Sequence, residues 1–438
     1  MAAIRLRGVI AASAIALAAA CSSSSSPTPP SGEPTDGGPT TEAATECSAS
    51  DAACTIQDAG TPDVVADAAD ASDGVPCAAI DLQNDALNCG TCGHDCAGGL
   101  CVGGLCEAPT ELATATGAVV DVMLDDTNVY WSTLDGTVAS CALTGCSGTP
   151  TILASNEPTL RGLSVDATTI YWGNQYDVSP PTNGPHAGYV TSCPISGCGG
   201  VPTRLVTKQC SVEAIANVGG KLFWAADPAP GNLNVWCTNV TDTLDRSRGV
   251  QFCTEPDCST TKVHAGTRGR YIAADADWLF WAEWVGAVKK CRHSVAGATG
   301  CGGPELTVSS TAQATGFAVD TTNIYWSSHP STGGYKLERC PIAGCTTPTL
   351  VYQMNLPAVL TGRDVAVDNS DIYWTDANFS GSVLRCPTSG CAVGPTKAKV
   401  PVTVVQRSKT DFPNHVRTNA NYLVWSELGN NKIFAHRK

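Results

Sequence analysis

The sequence predicts an all-β fold, a seven-bladed β-propeller (with six or eight blades as the alternatives), behind a disordered linker and a small disulfide-rich module. Three observations carry this. Seven triplets, most of them aliphatic-aromatic-Trp, end at Trp131, Trp172, Trp224, Trp281, Trp326, Trp374 and Trp425, at an average spacing of 49 residues, the size of a four-stranded blade. The triplets do not alternate apolar with polar, so these strands need cover on both faces, which neighbouring blades supply. The seventh copy ends without a fourth strand, whereas a strand-like segment, Thr110 to Thr114, precedes the first copy.

Composition agrees. Only 15% of the 438 residues are charged and 6% aromatic, while Gly (43), Pro (27) and Cys (23) are abundant, a balance that favours short strands and turns. The net charge of -14 argues against nucleic acid as a partner, since phosphates need a basic surface. Residues 113–438 hold 25 acidic and 24 basic side chains, so the acidity belongs to the N-terminal quarter and says nothing of a basic partner.

Residues 1–20 read as a signal peptide. Arg5 and Arg7 precede an apolar run from Val9 to Ala20 that suits a secretory h-region and is too short to span a bilayer. The run ends Leu17-Ala18-Ala19-Ala20-Cys21, which resembles a bacterial lipobox, although Leu17 stands four positions before the cysteine where three is usual. That resemblance implies lipidation of Cys21 and a place in the bacterial cell envelope, at the outer membrane or cell surface; ordinary cleavage that leaves Cys21 free is the alternative. The other 22 cysteines form an even set in an exported chain, the arithmetic of a disulfide framework.

Residues 21–76 read as a tether, because the stretch after Cys21 has ten acidic residues, no Lys or Arg, and little that could collapse. Residues 77–108 form a module of six cysteines (77, 89, 92, 96, 101, 106) set among glycines with almost no apolar core, so crosslinks must hold it. The run Asn88-Cys89-Gly90-Thr91-Cys92-Gly93-His94-Asp95-Cys96 is similar to the cysteine-rich repeat of Stig1 proteins and of bacterial surface lipoproteins. A zinc site at Cys89, Cys92, His94 and Cys96 is the competing reading, which an oxidising compartment disfavours.

The propeller occupies residues 109–438. One copy displays its four strands as Gly162 to Asp166, Thr169 to Trp172, Tyr189 to Cys193 and Thr203 to Thr207. Burying each aromatic removes about 150 to 250 Å2 from water at roughly 25 cal/mol per Å2, so the triplets should dominate the core. Leu112 is expected to pair beside Phe434 and close the ring, removing an open edge. The domain resembles the YWTD and NHL-like propellers, and Tyr373-Trp374-Thr375-Asp376 spells the first motif. YWTD propellers of lipoprotein receptors have six blades; seven copies are counted here.

In five copies an Asp stands six residues before the Trp (Asp125, Asp166, Asp275, Asp320, Asp368), with Asn419 in the last and Val218 in the third, where it suits a hairpin turn better than a ring of cation ligands. Cysteine pairs between the third and fourth strands, Cys141/Cys146, Cys193/Cys198, Cys253/Cys258, Cys340/Cys345 and Cys386/Cys391, with the longer Cys291/Cys301, suit disulfides across a tight bend, and Cys210 and Cys237 remain as a cross-blade pair.

The seven His residues belong to no recognisable catalytic or metal motif, and no cofactor is implied. Loops after the second strand are longest in the second and third copies, so the expected binding surface comprises Tyr176, Asp177, His186, Trp236, Arg246 and Arg248. The chain reads as a monomeric binding module for a protein or polysaccharide of the envelope. An exported propeller enzyme, of lactonase or lyase type, is the alternative.

Overall fold

The computed structural model describes residues 79–97, 99–175, 188–209, 211–226, 249–254, 258, 262–264, 269–283, 286–293, 304–312, 314–328, 335–354, 364–376, 381–393, 399–407 and 410–438. Seven four-stranded antiparallel sheets follow one another, each ordered first to fourth strand along the chain except the last. Blade 1, for example, runs Val119–Leu124, Asn128–Thr133, Val138–Ala142 and Thr151–Ala154. The first strands of blades 1 to 7 touch their neighbours in turn, and the first strand of blade 7, Pro413–Thr418, touches that of blade 1. They form a closed hub.

The seventh sheet is completed by Thr110–Thr114, which lies antiparallel to Lys432–Arg437, as the missing fourth strand required. The register differs by one residue from expectation. Glu111 sits opposite Phe434 and Ala113 opposite Ile433, because a bulge sets Leu112 between them and turns its side chain into the core, where it is 2% exposed.

Why the triplets are apolar throughout is now visible. The seven Trp side chains are 0 to 1% exposed, and the residue before each Trp packs in the cluster of the next blade's Trp. Tyr130 lies with Trp172, Tyr171 with Trp224, Phe223 with Trp281, Phe280 with Trp326, Tyr325 with Trp374 and Tyr373 with Trp425. Val424 then meets Trp131 and completes the circle. Successive residues of a strand point to opposite faces, so each triplet fills two interblade layers at once.

The turn aspartates are consumed locally. Asp125 Oδ1 accepts the amides of Thr127 and Asn128 while Oδ2 accepts the Tyr130 hydroxyl at 2.7 Å, and Asp166 and Asp320 repeat the pattern. Asn419 bonds the amides of Asn421 and Tyr422 in the same way. Disulfides join Cys141 to Cys146, Cys193 to Cys198, Cys253 to Cys258, Cys340 to Cys345 and Cys386 to Cys391, with Cα–Cα distances of 4.8 to 5.7 Å. Cys291 is disulfide-bonded; Cys301, Cys210 and Cys237 lie outside the described residues.

The cysteine-rich module has one short hairpin, Cys101–Val102 with Leu105–Cys106, turning through Gly103 and Gly104 at φ 61° and 76°, values a two-residue primed turn demands of glycine. Among its described residues the apolar cluster is made of cysteine: Cys89 bonds Cys101, Cys96 bonds Cys106, and both bridges lie in that cluster. Cys89, Cys92 and Cys96 are all in disulfides, so the thiolates a zinc site needs are spent. Among the described residues no helix is long and apolar enough to cross a membrane.

Candidate functional site

The hub is where the fold departs from repetition. In every blade whose first strand is described over this stretch, namely blades 1 to 5 and 7, the pairing with the second strand slips within the three residues that precede the Trp partner. A recurrent bulge re-aims side chains at that point. The residue just before the Trp partner is Asp121, Gly162, Ala214, Tyr271, Gly316, Asp364 and His415 in blades 1 to 7.

Two kinds of residue fill this position. Small ones let hub strands approach: a Cβ on Gly162 would lie 2.7 Å from Ala214 Cα, and one on Gly316 would lie 2.9 Å from Asp364 Cα. The others build a polar cluster. Arg417 donates to Asp121 Oδ1 at 2.9 Å and to Asp364 Oδ2, so one guanidinium joins blade 7 to blades 1 and 6. His415 Nδ1 lies between the same two carboxylates, 3.5 Å from Asp364 and 3.9 Å from Asp121. Both aspartates also hold backbone: Asp121 Oδ2 accepts the Leu163 amide at 2.8 Å, and Asp364 Oδ2 accepts that of Val416 at 3.2 Å.

Electrostatics follow from this packing. Burial by itself would raise the Asp364 carboxyl, but the Arg417 charge and the His415 contact hold it below the ordinary value. Burial likewise opposes the charge on Arg417, and Asp364 with Asp121 overrides it and raises the guanidinium further. Across the hub, the Tyr271 hydroxyl donates to the Thr315 carbonyl at 2.7 Å, and burial pushes this phenol up to about 12, with the charges of Asp364, Asp121 and Arg417 also acting on it. Beside this cluster, Arg161 pairs with Glu213 at 3.7 Å, and Gln175 and Ser211 each donate to Glu213 at 2.6 Å.

Arg161, Glu213, His415 and Arg417 keep 19 to 34% of their side chains exposed, so the cluster is accessible to a polar ligand. These bulges pair with the ends of the second strands, among them Asn174 and Ala226, the end from which the longest loops depart. The sequence-predicted surface residues Tyr176, Asp177, His186, Trp236, Arg246 and Arg248 belong to those loops and lie outside the described residues. Sequence reasoning did not find the hub cluster. Its signal was present, as the one strand position where the seven copies hold Asp, Gly, Ala, Tyr, Gly, Asp and His.

Other buried polar groups serve the scaffold. The Trp indoles of four blades donate to Glu157, Gln209, Glu338 and Glu427 at 3.2 to 3.3 Å. Glu427, fully buried, is neutralised by Arg407 at 2.6 Å.

Among solved structures, the chain is similar to virginiamycin B lyase from Staphylococcus aureus, at 10% identity and a TM-score of 0.51, over 76% of this chain and 98% of that one. A catalytically inactive histidine-to-alanine form of that lyase with quinupristin matches equally, over 99% of its length. The WD40 repeats of RRP9 match at 10% identity and a TM-score of 0.50, over 75% of this chain and 97% of theirs. The likeness is one of fold. No protein-family description and no curated protein matches the chain.

Proposed function

We propose that the chain is an exported bacterial envelope protein, lipid-anchored through Cys21, whose propeller binds a protein or polysaccharide of the envelope at its hub. One observation carries the binding assignment: the first strands of blades 1, 6 and 7 bring Asp121, Asp364, His415 and Arg417 into one charged cluster at the hub, and the first strands of blades 2 and 3 carry the Arg161–Glu213 pair. Partly exposed charges of both signs on a fixed frame recognise hydroxyl-rich or zwitterionic groups with little ordering cost. Arg161→Ala with Glu213→Ala leaves the interblade aspartates intact and is the variant of choice. Recovery of bound protein or glycan from envelope extract should fall at least tenfold; unchanged recovery overturns the assignment. For the anchor, partition of the intact protein into detergent should be lost in Cys21→Ala.

A second reading is favoured by His415. An imidazole fixed by carboxylates can move a proton, and the similar fold of virginiamycin B lyase, which a histidine-to-alanine change inactivates, makes an exported lyase or lactonase the alternative. Time-dependent conversion of envelope fragments that His415→Ala abolishes would establish it; bound material recovered unaltered favours the binder.

A further inference from the structure

We propose that the cysteine-rich module is a clasp that stands in for the missing turn of blade 7 and keeps the ring shut at its seam. One contact repeats along the ring. Lys290, Arg339 and Arg385 occupy one register position, immediately before the first cysteine of the turn between third and fourth strands in blades 4, 5 and 6. Lys290 donates to the Ile342 carbonyl, inside the disulfide turn of blade 5. Arg339 donates to the Ser389 carbonyl at 3.3 Å, inside the disulfide turn of blade 6. Each cation thereby ties its blade to the turn of the next.

Blade 7 has no such turn between its third and fourth strands, because its third strand, Lys432–Arg437, pairs with Thr110–Thr114, which precedes blade 1 in the chain. Arg385 of blade 6 instead reaches Asp95 of the cysteine-rich module, at 2.5 Å, while its other nitrogen holds Asp371 at 3.3 Å. The module therefore receives the contact that a blade 7 turn would receive. Two more contacts place it there. Gly99 lies so close to the buried His436 of the third strand that a Cβ would sit 2.1 Å from Nε2, and Glu107 pairs with Arg437 at 3.5 Å. Cys106, the last cysteine of the module, stands four residues before Thr110, so its bridge to Cys96 also fixes where the closing strand begins.

The closing strand has five residues and a bulge; within the sheet it is held by main-chain bonds, by Leu112 and Ala113 in the apolar cluster, and by the exposed Lys432–Glu111 pair at 2.7 Å. The clasp secures it from the adjoining end. Blade 1 adds a second seal, since its Cys141–Cys146 bridge belongs with Leu112 to one apolar cluster.

The test is hydrogen exchange on the full chain with Gly99→Val, and separately with Asp95→Asn and Arg437→Gln together, which remove charge contacts without adding bulk. In both, exchange at residues 85–96 should rise, and exchange at 110–114 and 432–437 should rise at least tenfold, while 221–226 in blade 3 stays unchanged. If the module loosens and the seam does not, the clasp is refuted. It is equally refuted if neither responds in either variant. Should Gly99→Val not fold, the charge variant decides alone.

Discussion

Arg417 and Asp121 stand 296 residues apart in sequence and 2.9 Å apart in space, across the seam where blade 7 meets blade 1. The same guanidinium holds Asp364 of blade 6, so a single cation spans three blades at the hub. Removing it would leave two carboxylates facing each other with only His415 between them. Arg417→Met should therefore destabilise the ring by about 1.5 to 3 kcal/mol, the scale for hydrogen bonds to charged groups in a partly buried site. Asp121→Asn, which keeps an acceptor for the Leu163 amide, should cost less. Urea unfolding of the three proteins checks the ranking.

The depressed Asp364 carboxyl fixes a pH window. The unfolded chain takes up this proton first, near 3.8, so the stability Asp364 contributes is complete above that value and is lost as pH falls through the lower folded one. His436 acts in a different window. Burial beneath Gly99 holds its imidazole below the ordinary 6.5, so the unfolded chain again binds the proton more readily, and stability declines as pH drops from about 6.5 until the folded value is passed. Melting temperatures between about pH 8 and pH 5 should slope downward on acidification, and the slope should shrink in His436→Gln. A slope unchanged by the substitution would assign it to other groups.

Gly162 marks a contact between hub strands. With Ala214 Cα 2.7 Å and the Ile215 amide 3.0 Å from where its Cβ would lie, both of them backbone, Gly162→Val cannot be accommodated by a side-chain shift. A loss of about 1 to 3 kcal/mol is expected, the usual cost of overpacking. Calorimetry reads it directly.

Glu427 is fully buried and accepts from Trp425, Asn430 and two nitrogens of the Arg407 guanidinium, Nε and Nη2. Glu427→Leu leaves those donors without an acceptor and should cost at least about 3 kcal/mol. Arg407→Leu in the same background should recover part of the loss, and a double-mutant cycle gives the coupling.

The five turn disulfides described in full each join cysteines five positions apart. Replacing Cys340 and Cys345 by Ser should lower stability by roughly 2 kcal/mol through the freed unfolded chain, without changing the fold, as circular dichroism would report.

The repeat in the sequence determined the architecture, because burial between blades acts on every copy alike. Seven Trp positions need apolar cover on both faces, and Tyr130 beside Trp172 shows that each copy supplies half of its neighbour's core. The turn aspartates and the spaced cysteines were equally legible, since their partners lie within five residues and local geometry decides them. The hub was decided elsewhere. Asp121, Asp364, His415 and Arg417 come from three blades, and no spacing in the chain announces that they will meet. The role of the cysteine-rich module was hidden for the same reason: Asp95 and Arg385 are 290 residues apart, and only closure of the ring puts the module where blade 7 lacks a turn. Short-range patterns record what each blade needs from any neighbour, whereas the cluster and the seam depend on which particular blades the closed circle makes adjacent.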